Sequence, residues 1–292
     1  MDYTYYPGCS LEVSNKAYDI SARNVAKALG ANLIELEDWN CCGATNYMSV
    51  RELRSFAISA RNLALAQKEN RDLVTVCSAC YTTLNKTHQY MEADGKLKAE
   101  INNALSAVNL KYDGDLKVRH LLDVFVNDIG IENIAKKVKV PLKGLRVVPY
   151  YGCQLTRPNA TFDDAEFPTT MDTLFRALGA DVVDYPLKTK CCGGMLMTTA
   201  EKVALKLVRN LLDCAVKRGV DCIVTPCPLC HFNLDAYQNN VNKMFGTNFA
   251  VPILFFTQLT GVALGLSGRE IALGQEIVPA EEALSVYMGG RQ

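Results

Sequence analysis

Short apolar runs alternate along the chain with stretches whose apolar residues recur every three to four positions. Residues 2–6 read as a strand and 14–29 as a helix that Gly30 closes just past its C-terminus. Residues 32–36 form a short apolar strand, 50–68 carry a helical pattern, and 73–76 form another apolar strand. The order then returns: strand 145–150, helix 169–178, strand 181–185, helix 201–218, strand 222–225. Strands alternating with helices predict a parallel α/β architecture in each half. In such sheets ligands gather beyond the carboxyl ends of the strands. Residues 92–144 form a charged, helix-forming stretch around Leu121, Leu122, Val124 and Phe125, expected to pack on the first half and lead to the second. Residues 251–266 are apolar but interrupted by Thr257, Gln258 and Thr260. A membrane span needs about 20 apolar residues, so this stretch reads as a buried helix. It is the expected counterpart of 92–144, and the tail from Gly268 carries no pattern.

The twelve cysteines sharpen the picture. Ten fall into two copies of one arrangement. Cys9 is followed after 31 residues by Cys41-Cys42-Gly43, and Cys77-x-x-Cys80 comes 34 residues after Cys42. Cys153 is followed after 37 residues by Cys191-Cys192-Gly193, and Cys227-x-x-Cys230 again comes 34 residues after the pair. Four of them (Cys9, Cys77, Cys153 and Cys227) stand just past expected strand ends. The repeat extends further: Tyr5-Tyr6-Pro7-Gly8 echoes Tyr150-Tyr151-Gly152, Ala28-Leu29-Gly30-Ala31 echoes Ala177-Leu178-Gly179-Ala180, and Arg61-Asn62-Leu63 echoes Arg209-Asn210-Leu211. A period near 150 is too long for a solenoid and reads as duplication of a whole domain. The expected halves are 1–143, a first domain with its helical connector, and 144–292. Cys214 and Cys222 face Ala66 and Leu73 in the other copy and read as buried structural thiols.

Length and charge fit this reading. The chain has 292 residues, 49% of them hydrophobic, enough for two domains without staples. Lys and Arg total 31, as do Asp and Glu, which speaks against a nucleic-acid or anionic-membrane footprint. The opening MDYTYYPGCS has neither a basic nor an apolar leader segment. We expect a soluble cytoplasmic protein, in which dense cysteines bind metal or do redox work.

Each half offers five thiolates. Structural zinc takes four ligands, and an ordinary cubane iron–sulfur cluster also takes four. Adjacent cysteines point apart in an extended chain, so bringing both sulfurs to one site needs a sharp turn, for which Gly43 and Gly193 supply backbone freedom. A polynuclear cluster accommodates the adjacent pair, since its sulfurs can bind different irons. Iron–sulfur clusters, zinc and metal-free thiol–disulfide chemistry all remain open on the residues alone.

The twice-repeated motif resembles that of the cysteine-rich CCG domain, and nearly all of the chain resembles the B subunit of archaeal heterodisulfide reductases. The resemblance implies two non-cubane [4Fe-4S] clusters, one on Cys9, Cys41, Cys42, Cys77 and Cys80, the other on Cys153, Cys191, Cys192, Cys227 and Cys230. It implies reduction of the mixed disulfide of coenzyme M and coenzyme B to two thiols in methanogenesis. Each cluster would pass one electron to one sulfur, so that the S–S bond splits homolytically between them. The chain has no ferredoxin-type cysteine run, so electrons are expected from the reductase's ferredoxin-like subunit, fed in turn by its flavin-bearing subunit. His231, next to Cys230, is a weak proton-donor candidate and more readily a packing residue. Arg157, Lys188 and Lys190 are weak candidates for binding substrate anions. The alternatives are an electron-relay subunit of a glycolate- or lactate-oxidising complex, and a zinc-stabilised module without redox chemistry.

Overall fold

A computed structural model describes residues 1–44, 47–158 and 162–289. The first sheet contains β1 (Asp2–Tyr6), β2 (Asn32–Glu35), β3 (Leu73–Thr75) and β4 (Val118–His120), all parallel in the order β2-β1-β3-β4. The second contains β5 (Arg146–Pro149), β6 (Asp181–Val182), β7 (Cys222–Thr225) and β8 (Ile253–Phe255), parallel in the order β6-β5-β7-β8. The expected α/β class and duplication are therefore both present, with helices flanking each sheet.

Two expectations need correction. The stretch 92–144 is not wholly helical, because β4 lies inside it and pairs with β3 through Thr75↔His120. Likewise 251–266 opens with β8, paired to β7 through Thr225↔Phe255, before the helix Phe256–Ala263 begins. Three-residue strands give no alternation to read, and a short apolar run cannot be told from a buried helix by periodicity. Arg119 in β4 also disguises the strand; its guanidinium leaves the sheet to bind Asp123 at 2.7 Å and Asp128 at 2.6 Å. Beyond Gly268 the described residues include the helix Glu281–Met288, with Leu284 and Met288 buried.

The two halves pack directly on one another. The helix Lys16–Leu29 buries Tyr18, Ala22, Val25, Ala26 and Leu29, one face at helical spacing, and ends at Gly30 with φ +94°. That face meets the helix Phe256–Ala263 of the second half. Tyr18 stacks on Phe255 with ring centroids 4.0 Å apart, and the Ser21 and Thr257 hydroxyls are hydrogen-bonded at 2.7 Å. One apolar core therefore runs from the first half into the second. This clamps together the strand ends that carry the cysteines. Among the described residues no helix is long and apolar enough to cross a membrane.

Candidate metal centre

The strand ends deliver the cysteines. Cys9 opens the helix Cys9–Val13 directly after β1. Cys77 caps the helix Ser78–Ala93 after β3, and Cys80 lies one turn along it. Cys227 caps the helix Pro228–Ala236 after β7, with Pro228 fixing the first helical φ and Cys230 one turn on. The i, i+3 spacing puts both sulfurs of each Cys-x-x-Cys on one face.

The adjacent pairs arrive on loops held by equivalent tyrosines. The buried Tyr6 hydroxyl donates to the Asn40 carbonyl at 2.7 Å, and the buried Tyr150 hydroxyl donates to the Lys190 carbonyl at 2.7 Å. Each thereby pins the peptide just before Cys41 or Cys191. The turn expected at the glycines is present: Gly43 has φ +80° and Gly193 φ +94°. In the second half Asn233 completes the loop, its amide donating to the carbonyls of Cys192 (3.3 Å) and Gly194 (3.0 Å). The sequence repeat pairs the tyrosine motifs, but nothing in it marks them or Asn233 as holders of these loops.

All twelve cysteines are free thiols. The Cys9 and Cys41 sulfurs are 3.8 Å apart, those of Cys42 and Cys80 3.3 Å, and those of Cys192 and Cys230 3.5 Å. Across the halves Cys77 and Cys227 come close enough to shift one another, Cys77 upward and Cys227 downward. Thiol hydrogen bonds from Cys42 and Cys9 hold Cys41 down to about 2, and those from Cys153 and Cys192 do the same for Cys191. Their neighbours Cys42 and Cys192 are pushed up to about 12 by the hydrogen bond to Cys41 or Cys191. Cys80 and Cys230 are pushed up as well, first by their bonds to Cys42 and Cys192. Without metal, the crowded sulfurs of each half thus oppose one another's ionisation. Five thiolates side by side need the positive charge of bound metal.

All ten motif cysteines line one cavity of about 370 Å³ between the halves. The rest of its wall is mostly small or apolar, with Ala44, Met195, Leu196 and Leu229 beside Ser10, Ser78, Tyr151 and Gln154. No Asp, Glu, Lys, Arg or His lines it among the described residues. The backbone is shaped to admit the sulfurs: a Cβ on Gly8 would stand 3.1 Å from the Cys80 sulfur, and one on Gly152 2.9 Å from that of Cys230. Among the described residues no three or more His, Cys, Asp or Glu side chains are arranged to hold a single metal ion. Soft thiolate donors, five to a half and approaching one another in pairs, fit iron–sulfur clusters.

The remaining candidates lie off this wall. Lys188 bonds Asp172 at 2.8 Å in a largely buried pair. Arg157 donates to the Thr189 carbonyl at 2.6 Å and reaches Glu166 at 3.3 Å. Lys190 is exposed. His231 is buried and stacks on Phe255, centroids 4.1 Å apart, behind the Cys227–Cys230 helix turn. Cys222 is fully buried at the start of β7, and Cys214 accepts from Arg218 at 3.1 Å; neither lines the cavity.

Fold and site together define a duplicated parallel α/β protein with two five-cysteine centres facing one cavity. The chain belongs to the CCG cysteine-rich domain family, whose model matches residues 3–85 and 147–235. It is 36% identical over 96% of its length, and 98% of the relative's, to the 8-methylmenaquinol:fumarate reductase membrane anchor subunit of Wolinella succinogenes. It is 32% identical over 95% of its length, and 94% of the relative's, to the B subunit of the ferredoxin:CoB-CoM heterodisulfide reductase of Methanosarcina mazei. A solved hypothetical protein from Helicobacter pylori shares the fold with a TM-score of 0.78 at 14% identity over 95% of this chain, which spans about half (52%) of that protein.

Proposed function

We propose that this chain is the substrate-reducing iron–sulfur subunit of a multi-subunit oxidoreductase, the counterpart of the B subunit of heterodisulfide reductases. In this proposal the chain divides after Lys143. Cys9, Cys41, Cys42, Cys77 and Cys80 hold one non-cubane [4Fe-4S] cluster, and Cys153, Cys191, Cys192, Cys227 and Cys230 hold the other. The substrate is a disulfide, in the finest form of the proposal the mixed disulfide of coenzyme M and coenzyme B. A ferredoxin-like subunit and a flavin-bearing subunit supply the electrons. The observation that carries the reading is the single cavity walled by both cysteine sets, with Cys77 meeting Cys227 across it.

When bound, such clusters supply electrons one at a time, so a two-electron substrate is served by two of them. The chain's own residues supply the enclosure. Gly8 and Gly152 keep the wall next to the sulfurs free of side chains, and Ala44, Met195, Leu196 and Leu229 make the rest of it largely apolar. Tyr151 lines the cavity, but its hydroxyl donates to Asp172 at 2.6 Å. The protons for two thiol products therefore enter from solvent or a partner. Iron and sulfide analysis of anaerobically purified chain tests the cofactor, with about eight irons expected for two [4Fe-4S] clusters. Turnover of the heterodisulfide in the assembled complex tests the substrate.

The uncharged wall favours a second reading. A polyanionic disulfide entering here would meet no cationic side chain among the described residues, whereas a neutral quinol ring would need none. The Wolinella relative is named for a methylmenaquinol-linked complex. Oxidation of a menaquinol analogue, with no turnover of the heterodisulfide, would select this reading.

A further inference from the structure

His120 ends β4 and is fully buried where the two halves meet. Its Nδ1 accepts the backbone N–H of Leu122 at 3.2 Å. Burial lowers its pKa to about 4, so the ring is neutral, and with Nδ1 accepting, its one proton sits on Nε2. Nε2 lies 3.0 Å from the Val76 carbonyl and 3.2 Å from the Pro226 carbonyl. These are the carbonyls of the peptides that lead into Cys77 and Cys227, the two cysteines whose thiols meet across the halves. One N–H therefore bridges the two cysteine-bearing strand ends. The Pro226 carbonyl also accepts from Tyr18 of the first half at 3.0 Å. At the corresponding end of β8 the second half places Phe255, whose side chain carries no donor.

We propose that His120 is a positioning residue that fixes the separation and relative orientation of the two cysteine centres by donating one shared hydrogen bond to both strand ends. The proposal rests on the two-cluster reading for its redox consequence and on the geometry of this chain for its structural one. His120 touches no sulfur and acts through the peptides of Cys77 and Cys227.

The test uses the full chain, loaded anaerobically with iron and sulfide. H120F installs the side chain that the second half uses and removes the donor; H120Q keeps a donor in similar volume. The expected result is wild-type iron content in both variants. H120F should shift the midpoint potentials of both clusters and change the magnetic interaction between them in electron paramagnetic resonance, and H120Q should restore both. A second arm uses metal-free chain. Diamide takes two electrons and two protons from a pair of thiols, and peptide mass spectrometry follows the Cys77–Cys227 disulfide that results. Its formation should slow roughly tenfold in H120F, the worth of one buried hydrogen bond, and recover in H120Q. Should H120F not fold, H120N takes its place, since the shorter amide cannot span both carbonyls. Wild-type potentials, coupling and cross-linking in H120F would overturn the proposal. So would an H120Q as impaired as H120F, because shape rather than donation would then be acting. A wild-type chain that takes up no iron would count against the cluster reading, while the cross-linking arm would still decide this one.

Discussion

Gly43 and Gly193 follow equivalent cysteine pairs, yet replacing each by alanine should have unequal effects. At Gly193 a Cβ would stand 2.9 Å from the Ala204 Cβ and 3.1 Å from its Cα. Neither atom can rotate away, so the helix Glu201–Val216 must shift. At Gly43 the nearest atom is the Ser55 Oγ at 3.1 Å, which can turn aside at the expense of its 3.3 Å hydrogen bond to the Gly43 carbonyl. A side chain at positive φ costs about 1–2 kcal/mol at either position. Displacing a packed helix adds about 1–3 kcal/mol, whereas losing the serine bond adds about 1 kcal/mol. We therefore expect G193A to cost about 3.5 kcal/mol and G43A about 2.5 kcal/mol. Urea unfolding of the metal-free chain measures both. The G193A shift also displaces the loop carrying Cys191 and Cys192, so its iron content should fall to about half while the first centre stays loaded. Equal penalties, or a larger one in G43A, would refute the steric argument.

Other outcomes follow from the same geometry. Alanine at both Cys77 and Cys80, or at both Cys227 and Cys230, should halve the iron and abolish two-electron turnover in either case; a folded single-cluster variant with near-native rate would make the other centre a mere relay. C214A and C222A should leave iron content unchanged, since neither sulfur lines the cavity. K188A should destabilise the chain by about 3 kcal/mol by stranding buried Asp172, with iron content unaltered, as read from urea unfolding and iron analysis. Burial depresses His120 from the usual 6.5 to about 4, so the unfolded chain binds its proton first as pH falls. Stability of the metal-free chain should therefore be full above pH 6.5 and drop by up to about 3 kcal/mol toward pH 4, and H120Q should lose that contribution to the slope.

The cysteine spacing made the two centres legible because ligand chemistry leaves a residue-specific mark that survives duplication. Strands β1, β3 and β7 were legible because their apolar runs feed directly into cysteines. Strands β4 and β8 were not: each is as short as β3 but leads into no cysteine and is defined by its partner strand. Lys188 and Arg157 illustrate a different limit. A basic residue near a cysteine pair looks like an anion ligand until its neighbours are known, and here Asp172 and the Thr189 carbonyl take those charges. Tyr6, Tyr150 and Asn233 act through backbone carbonyls, a role that residue type alone does not announce.

Duplication supplies two similar centres, but a shared cavity requires that they meet, and the meeting surface cannot be built from identical parts. The ring after the last cysteine is Tyr81 in the first half and His231 in the second; the ring at the end of the fourth strand is His120 in the first and Phe255 in the second. Tyr81 faces His120 edge-on at 6.0 Å, whereas His231 stacks flat on Phe255 at 4.1 Å. Histidine and its aromatic partner have exchanged places between the copies. The exchange brings a ring N–H to the Val76 and Pro226 carbonyls only once, from the first half. A symmetric pair would bring two buried N–H groups to the same two carbonyls, and one donor would be redundant or unpaired at a cost of about 1–3 kcal/mol. An apolar ring on one side spares these two carbonyls a second, competing donor, while the Nε2 of His231, against Phe255, stays buried without a partner among the described residues. The asymmetry between the halves is thus what packing two copies around one cavity demands, and it is already in place before any substrate or partner distinguishes them.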